Sequence, residues 1–449
     1  MAKNDSKTPD FKQIPEYVVK KAKGLGADDV VCSAVKSTTR QVRFANSSVT
    51  ASKVYDTVMT DIFIVWKKRV VNSEIYDIGE LDSALKDMLS LAKVTSENKD
   101  YYKIASGSFK YRDDRPDKKI IGLDEEKIMD FVESGINSAT KSGAKRVAGT
   151  LYTSSSDEVL ATSNGIYCDE QGADIEISMR AFAEKDASGH GVSCSTTLRD
   201  FSPEEAGKKA GGIAKMGLAP KEGTPGKYSI LWEPIAFANF IDHVGGSASA
   251  FDVDAGLSFF KDKIGQKVAS DIVTIYDDGT IPDGLSSSKC DSEGVPTRKT
   301  TLIENGVLRN YLHNSSTAHK FKTETTGNAG LVSPRPWNIV FKPGDRKKEE
   351  LLRDVGNGLY ITNVWYTRFQ NYINGDFSTI PRDAIFEIRN GEISGVVKGL
   401  RVTENMLKLL QSITAVGREQ EQIHWWEVNT PVFMPYVVTK DVNVTKSTQ

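Results

Sequence analysis

At 449 residues the chain is too long for one ordinary core, and two or three domains are expected. A composition of 39% hydrophobic and 26% charged residues is that of a folded globular protein and excludes a disordered one. With 58 Lys and Arg against 60 Asp and Glu, and only short basic runs such as Lys67-Lys68-Arg69, the chain has no basic surplus for tracking phosphates; nucleic acid is not an expected partner.

In chain order, Met1 to Asp10 are polar and carry no apolar run, so no signal peptide is expected. A first helix is predicted from Ile14, Val18 and Ala22, with Pro15 near its start and a stop at Gly24-Leu25-Gly26. Strands follow between Val30 and Ile75, where Val58, Thr60, Ile62 and Ile64 alternate with less apolar neighbours. Leu81, Leu85, Met88, Leu89 and Ala92 mark a second helix. The charged stretch from Arg112 to Lys119, with Pro116, reads as a boundary, giving an α+β subdomain over 11–115 and a second over 116–222. In the second, Asp124-Glu125-Glu126 open a helix whose stripe is Ile128, Val132, Ile136 and Ala139. Strands alternate with turns from Val147 to Ala183, including Asn164-Gly165. Ser202, Pro203 and Glu205 form a helix start with a capping box.

The Gly- and Pro-rich stretch Lys221 to Gly226 leads into a β-rich C-terminal domain over 223–449. Asn305-Gly306 and Asn390-Gly391 each sit between strand signals and predict tight type I′ hairpins. A late helix places Met406, Leu409, Leu410 and Ile413 on one face. Strands in sets with interspersed helices, rather than regular βαβ units, argue an α+β fold: a mixed N-terminal region with antiparallel strands and a β-rich C-terminal domain. No stretch approaches the ~18–20 apolar residues of a membrane helix. Four scattered cysteines with no metal-finger spacing read as reduced thiols, and a cytoplasmic location is expected.

Motifs for chemistry are few. Pro225-Gly226-Lys227-Tyr228 lacks the leading Gly and the Ser/Thr of a P-loop, and no G-x-S-x-G occurs. Of five histidines, His190 reads as a solvated loop residue between glycines, and His313 and His319 share neither a strand nor a helix face. His424 precedes Trp425-Trp426, a structural aromatic cluster. His243 lies on a helix predicted from Pro234 to Gly245. Phe237, Phe240, Ile241 and Val244 form its apolar stripe, while Asn239, Asp242 and His243 form a polar outer face. No second His is in reach on this helix, and there is no HExxH.

The segment from Asp291 and Gly294 through Arg298, Glu304 and Gly306 to Tyr311 resembles a block of the TldD/PmbA family. Ser315 to Lys320, Asn374 to Ser378, Glu387 to Ile393 and Ser412 to Gly417 fit the same family in order. The resemblance is strong over the C-terminal half and architectural over the first 200 residues. It implies a heterodimeric zinc metallopeptidase of TldD and PmbA (TldE) subunits that cleaves small or unfolded peptides. The TldD-type subunit carries an HExxxH helix and a Cys ligand near its C-terminus. Aligned without gaps, that motif falls on 242–247, with Asp242 and Ser247 at the two His positions and His243 at the Glu position. No Cys follows Cys290. The chain is therefore similar to the PmbA type. The resemblance implies no zinc or other cofactor on this chain, zinc in a TldD-like partner, and a peptide substrate. Asp242, His243 and Ser247 would then line a chamber or an interface, without being catalytic. The family's older association with DNA gyrase draws no support from the charge balance. Two other readings stand beside it: a peptide-binding or scaffold protein, homodimeric when alone, and an independent hydrolase built around His243.

Overall fold

The computed structural model describes residues 10–113 and 116–447; the polar residues 1–9 and residues 114–115 of the charged stretch lie outside them. α1 (Ile14–Gly24) and α2 (Leu81–Val94) bury the predicted stripes. They pack on β1 (Asp29–Ala45), β2 (Ser48–Trp66) and β3 (Arg69–Ile75), with Ile62 and Ile64 fully buried beneath them. After the short α3 (Lys118–Ile121) comes α4 (Glu125–Lys141), whose N-cap Asp124 accepts the Lys127 N–H. β4 (Arg146–Thr162), β5 (Tyr167–Glu184) and β6 (Ala187–Ser195) follow. β1 pairs with β4 from Val31–Thr162 to Phe44–Gly149, so strands from both sides of the charged stretch share one antiparallel sheet, β3-β2-β1-β4-β5-β6.

α5 (Pro203–Met216) starts at Ser202, whose hydroxyl accepts the Glu205 N–H. The return half of the predicted capping box does not form among the described residues, because the Ser202 N–H donates to Ser193 Oγ instead. Gly207 and Gly211 let α5 lie against the backbone of α4: a Cβ at either would stand 2.1 or 2.2 Å from a carbonyl oxygen of that helix. Together α4 and α5 cover one face of β4 and β5, burying Ala173, Ile175, Ile177 and Met179. By strand alternation Glu170, Asp174 and Glu176 of β5 point to the other face, toward the C-terminal domain.

That domain begins with β7 (Lys221–Glu222), β8 (Gly226–Trp232), α6 (Pro234–Ser247) and α7 (Ala250–Asp254). It continues through β9 (Ile275–Asp278), β10 (Lys299–Glu304), β11 (Val307–Leu308), α8 (Ser315–Phe321), β12 (Ile339–Phe341) and α9 (Lys348–Val355). β13 (Gly358–Ile361), β14 (Val364–Asn371), β15 (Asp376–Pro381), β16 (Ile385–Arg389), β17 (Glu392–Lys398) and β18 (Leu400–Asn405) precede α10 (Met406–Gln411), β19 (Ile413–Trp425) and β20 (Val428–Lys446). The strands form one curled, mainly antiparallel sheet, in which β8–β13, β12–β20 and β7–β17 are parallel pairs. Both Asn-Gly hairpins are present, with φ of 48° and 80° at Asn305-Gly306 and 53° and 79° at Asn390-Gly391. Ile413 departs from the prediction: it starts β19 rather than extending α10, and is buried there opposite Thr439.

α6 runs through the middle of this sheet, with Trp232, Phe237, Phe240 and Phe377 packed about it. Its residues from Pro234 to Ile241 are all buried. The predicted surface helix with a polar outer face is thus a central helix. Its polar Asn239 is sealed in by hydrogen bonds, donating to the Glu427 carbonyl at 2.7 Å and accepting from Thr367 Oγ1 at 2.5 Å.

Candidate functional site

The three residues singled out from the sequence lie at the C-terminal end of α6. Asp242 is committed to structure: its carboxylate accepts the backbone N–H of Asn429 at 3.0 Å and of Thr430 at 3.2 Å, fixing the start of β20. His243 packs edge-on against Phe369 with ring centroids 5.0 Å apart. Burial lowers its pKa, the Asp242 charge opposes that and Arg368 adds to it, so the imidazole is held neutral. Ser247 closes the helix, and its carbonyl accepts the Ser258 hydroxyl at 2.6 Å. Asp242 and His243 are neighbours, while Ser247 is one turn beyond His243 on its face.

This donor set does not suit zinc. Zinc sites need three ligands from His, Cys or carboxylate. Here one half-buried imidazole, packed on Phe369, stands beside a carboxylate already holding two N–H groups, and a hydroxyl replaces the third donor. Among the described residues no group of three or more His, Cys, Asp or Glu is arranged to hold a metal.

Beside α6, His424 on β19 meets Glu176 on β5 at 2.5 Å, bridging the N-terminal sheet and the C-terminal domain. Burial works against its charge, but Glu176 and then Asp174 more than offset this and raise its pKa. Asp174 is pushed up to about 7 by enclosure and by Glu176. The sequence reading passed over Asp174 and Glu176 and took His424 only as part of an aromatic cluster; the signal was the acidic every-second-residue stripe of β5. The same face borders a cavity of about 760 Å3, walled by β4, β5, the loops around 281–292 and 335–337, and Asn429-Thr430.

His190 corrects its reading as a loop residue. It lies on β6, 4% exposed, with Nε2 2.9 Å from Ser178 Oγ, Nδ1 3.1 Å from Asn363 Nδ2 and Trp425 edge-on at 4.7 Å. Asn363 and Ser188 in turn donate to the buried Asp383, which pairs with Arg180. The amide donor on Nδ1 places the ring proton on Nε2, facing Ser178. A base for a serine nucleophile would need the opposite arrangement. Burial pushes His190 down to about 3, so the network is a neutral structural clasp. His313 is likewise buried and lowered to about 4, and His319 stacks on Tyr102 at 3.6 Å.

Buried carboxylates cluster near the cavity, one on β9 and two in the loop that follows Cys290. Asp277, Asp291 and Glu293 are pushed by burial to about 7, 6 and 8. These values lie above those of an unfolded carboxylate, so the folded chain binds more protons than the unfolded one across neutral pH. Their stabilising share is full at low pH and is lost as pH rises through the folded values. The unfolding free energy should therefore rise as pH falls from 8.5 to 6.5, by up to about 1.4 kcal/mol per pH unit for each fully linked proton, and the thermal midpoint should climb with it. Below the ordinary histidine range the depressed His190 and His313 act in the opposite sense, and the gain should flatten. Calorimetry over pH 5 to 9 checks this; stability that rises steadily from pH 6.5 to 8.5 would contradict it.

The PmbA/TldA metallopeptidase central domain matches residues 118–218, and the C-terminal domain of the same family matches residues 225–446. A metalloprotease of Methanocaldococcus jannaschii is 36% identical over 227 residues, 48% of each chain. An uncharacterized protein of the same organism is 30% identical over 289 residues, 63% of this chain and 67% of its own length. The first of these matches thus spans about half the length of that relative. TldE from Thermococcus kodakarensis superposes with a TM-score of 0.86 at 19% identity, covering 96% of this chain and all of its own, and shares the fold.

Proposed function

We propose a role that starts from one fact: the chain belongs to the PmbA/TldD metallopeptidase family. Within it, the chain is the subunit that holds no metal. It pairs with a separate zinc-bearing TldD-type subunit in the cytoplasm and walls a chamber in which small or unfolded peptides are cleaved. The observation that carries this reading is the end of α6, where both Asp242 oxygens are spent on the β20 backbone and His243 is packed against Phe369. Such a helix end can shape a wall, but it lacks the donors for a metal and the free base for a hydrolytic water.

The open strand edges suit an extended substrate. Among the described residues β14 pairs only with β15, leaving its other edge unpaired close to His243. Main-chain hydrogen bonds to such an edge bind peptides with little regard to sequence. Co-expression with a family member that contains HExxxH should yield a stable complex on gel filtration. A chain that runs alone or as a homodimer at micromolar concentration in the presence of that partner would instead favour the scaffold reading.

A further inference from the structure

Four cysteines are scattered along the sequence, and the fold brings two of them together. Cys168 lies on β5, opposite Leu160 of β4, and is buried. Cys290 is half-buried in the loop that follows Ser288, where it bridges to Pro296. The two thiols are hydrogen-bonded to one another, and both border the cavity of about 760 Å3. Both sulfurs also act on the phenol of Tyr111, whose hydroxyl donates to the Gly294 carbonyl at 2.7 Å.

Hydrogen bonds from the neighbouring residues hold this meeting in place. By strand alternation Cys168 points to the same face of β5 as Glu170. There the Glu170 carboxylate accepts the Ser288 hydroxyl at 2.7 Å and the Lys289 N–H at 3.0 Å. Lys289 Nζ donates to the Asp169 carbonyl at 3.0 Å, so the loop is laced to β5 beside Cys168. The other two cysteines are kept away from the pair. Cys32 lies level with Ala161 and Tyr167 and faces α1 and α2, on the opposite side of the sheet. Cys194 on β6 lies level with Glu176, farther along β5, and its thiol reaches the Gln422 carbonyl at 3.4 Å.

We propose that Cys168 and Cys290 are a redox-active dithiol, which hydrogen peroxide converts to a disulfide that staples β5 of the N-terminal sheet to the C-terminal domain. One thiolate of the pair attacks the peroxide; an S–O bond forms, the O–O bond breaks and a first water leaves. The second sulfur attacks the sulfenic sulfur; the S–S bond forms, the S–O bond breaks and a second water leaves. Two electrons pass from the thiols to the peroxide, and the two thiol protons end in the waters. The cavity gives the oxidant its path to both sulfurs. Bonding brings the sulfurs to about 2 Å, and the shift falls on the Cys290 loop, because β4 holds β5 in register. The Cys168 hydrogen bond and then burial hold the Cys290 thiol well above its ordinary range. Thiolate is therefore scarce at neutral pH, and the reaction quickens as pH rises. Once formed, the bond closes a long stretch of chain, the case in which a cross-link restricts the unfolded state most.

The purified, reduced full chain, freed of reductant and treated with a small molar excess of hydrogen peroxide at pH 8, should lose two of its four thiols when titrated unfolded. Mass spectrometry of a non-reduced digest should show the peptides of Cys168 and Cys290 joined, with two hydrogens lost. The thermal midpoint of the oxidised chain should lie about 3 °C or more above that of the reduced chain, and dithiothreitol should reverse the rise. Cys290→Ser, at a half-buried position, should abolish both the cross-link and the rise, whereas Cys194→Ser should leave both. The digest of the unaltered chain decides the linkage without any substitution. Four free thiols after peroxide, a cross-link through Cys32 or Cys194, or Cys290 driven to a sulfonic acid with no cross-link would overturn the proposal. So would a cross-linked chain that melts no higher than the reduced one. Only thiols and a melting temperature are read, with no partner, metal or peptide added, so the subunit role stands or falls separately.

Discussion

Replacing Glu233 by Gln should lower the stability of the C-terminal domain by about 3–5 kcal/mol, the usual cost of leaving one member of a buried ion pair alone. Glu233 is the N-cap residue of α6 and has no exposed surface. Tyr436 donates to one carboxylate oxygen at 2.8 Å and Tyr360 donates to the other. Lys209 of α5 reaches it at 2.7 Å, and Lys348 of α9 stands 3.7 Å away. Burial opposes ionisation of Glu233, but the two ammonium groups more than offset it and hold the carboxyl below its ordinary range. The neutral amide leaves Lys209 with Glu421 as its remaining anion at 2.8 Å. Adding Lys209→Met should restore part of the loss, because the stranded charge goes with it. Urea unfolding of the single and double variants reads both. A single variant that loses less than about 1 kcal/mol, or a double variant less stable than the single, would show that the pair is not what anchors the start of α6.

The loop at Asp291 should be almost as sensitive. Its carboxylate accepts the buried N–H groups of Glu293, Val295 and Ala329, each at 2.9 Å. Glu293 beside it accepts the Ala105 N–H at 3.1 Å and the Ser315 hydroxyl, tying the N-terminal region to α8. Asp291→Ala strips all three N–H groups of their acceptor and should cost about 3–5 kcal/mol. Asp291→Asn keeps the oxygen that serves Glu293 and Val295 but turns an NH2 group toward the Ala329 N–H, so its cost should be smaller, about 1–3 kcal/mol. Thermal melts of the two variants test that order. An alanine variant as stable as the asparagine one would mean that the N–H groups find other acceptors.

Much of this was legible in the sequence where local chemistry decides. The stripes of α1, α2 and α4, the acidic opening of α4 and the two Asn-Gly hairpins follow from periodicity, helix-dipole and turn geometry, which need no tertiary information. The family resemblance drew attention to the end of α6, where Asp242 and His243 turn out to be held by β20 and Phe369. What the sequence hid was set by packing from distant segments. α6 looked amphipathic, yet its polar Asn239 is buried because Thr367 and Glu427, far along the chain, supply partners. His190 looked like a loop residue because Gly189 and Gly191 surround it. Those glycines instead let α5 press against β6, where a Cβ would stand 2.2 or 2.0 Å from helix carbonyl oxygens. The pairing of β1 with β4 across the charged stretch, and of Glu176 with His424, are likewise long-range facts.

Zinc content and peptide cleavage, measured side by side on the purified chain and on its complex with an HExxxH-bearing family member, test the central claim most directly. The chain alone should contain well under one zinc per molecule and leave an unfolded peptide intact; the complex should contain zinc and cleave it. Removing Asp242 or His243 by alanine substitution should not abolish the metal of the complex. One zinc per isolated chain together with cleavage that a chelator stops would contradict the account.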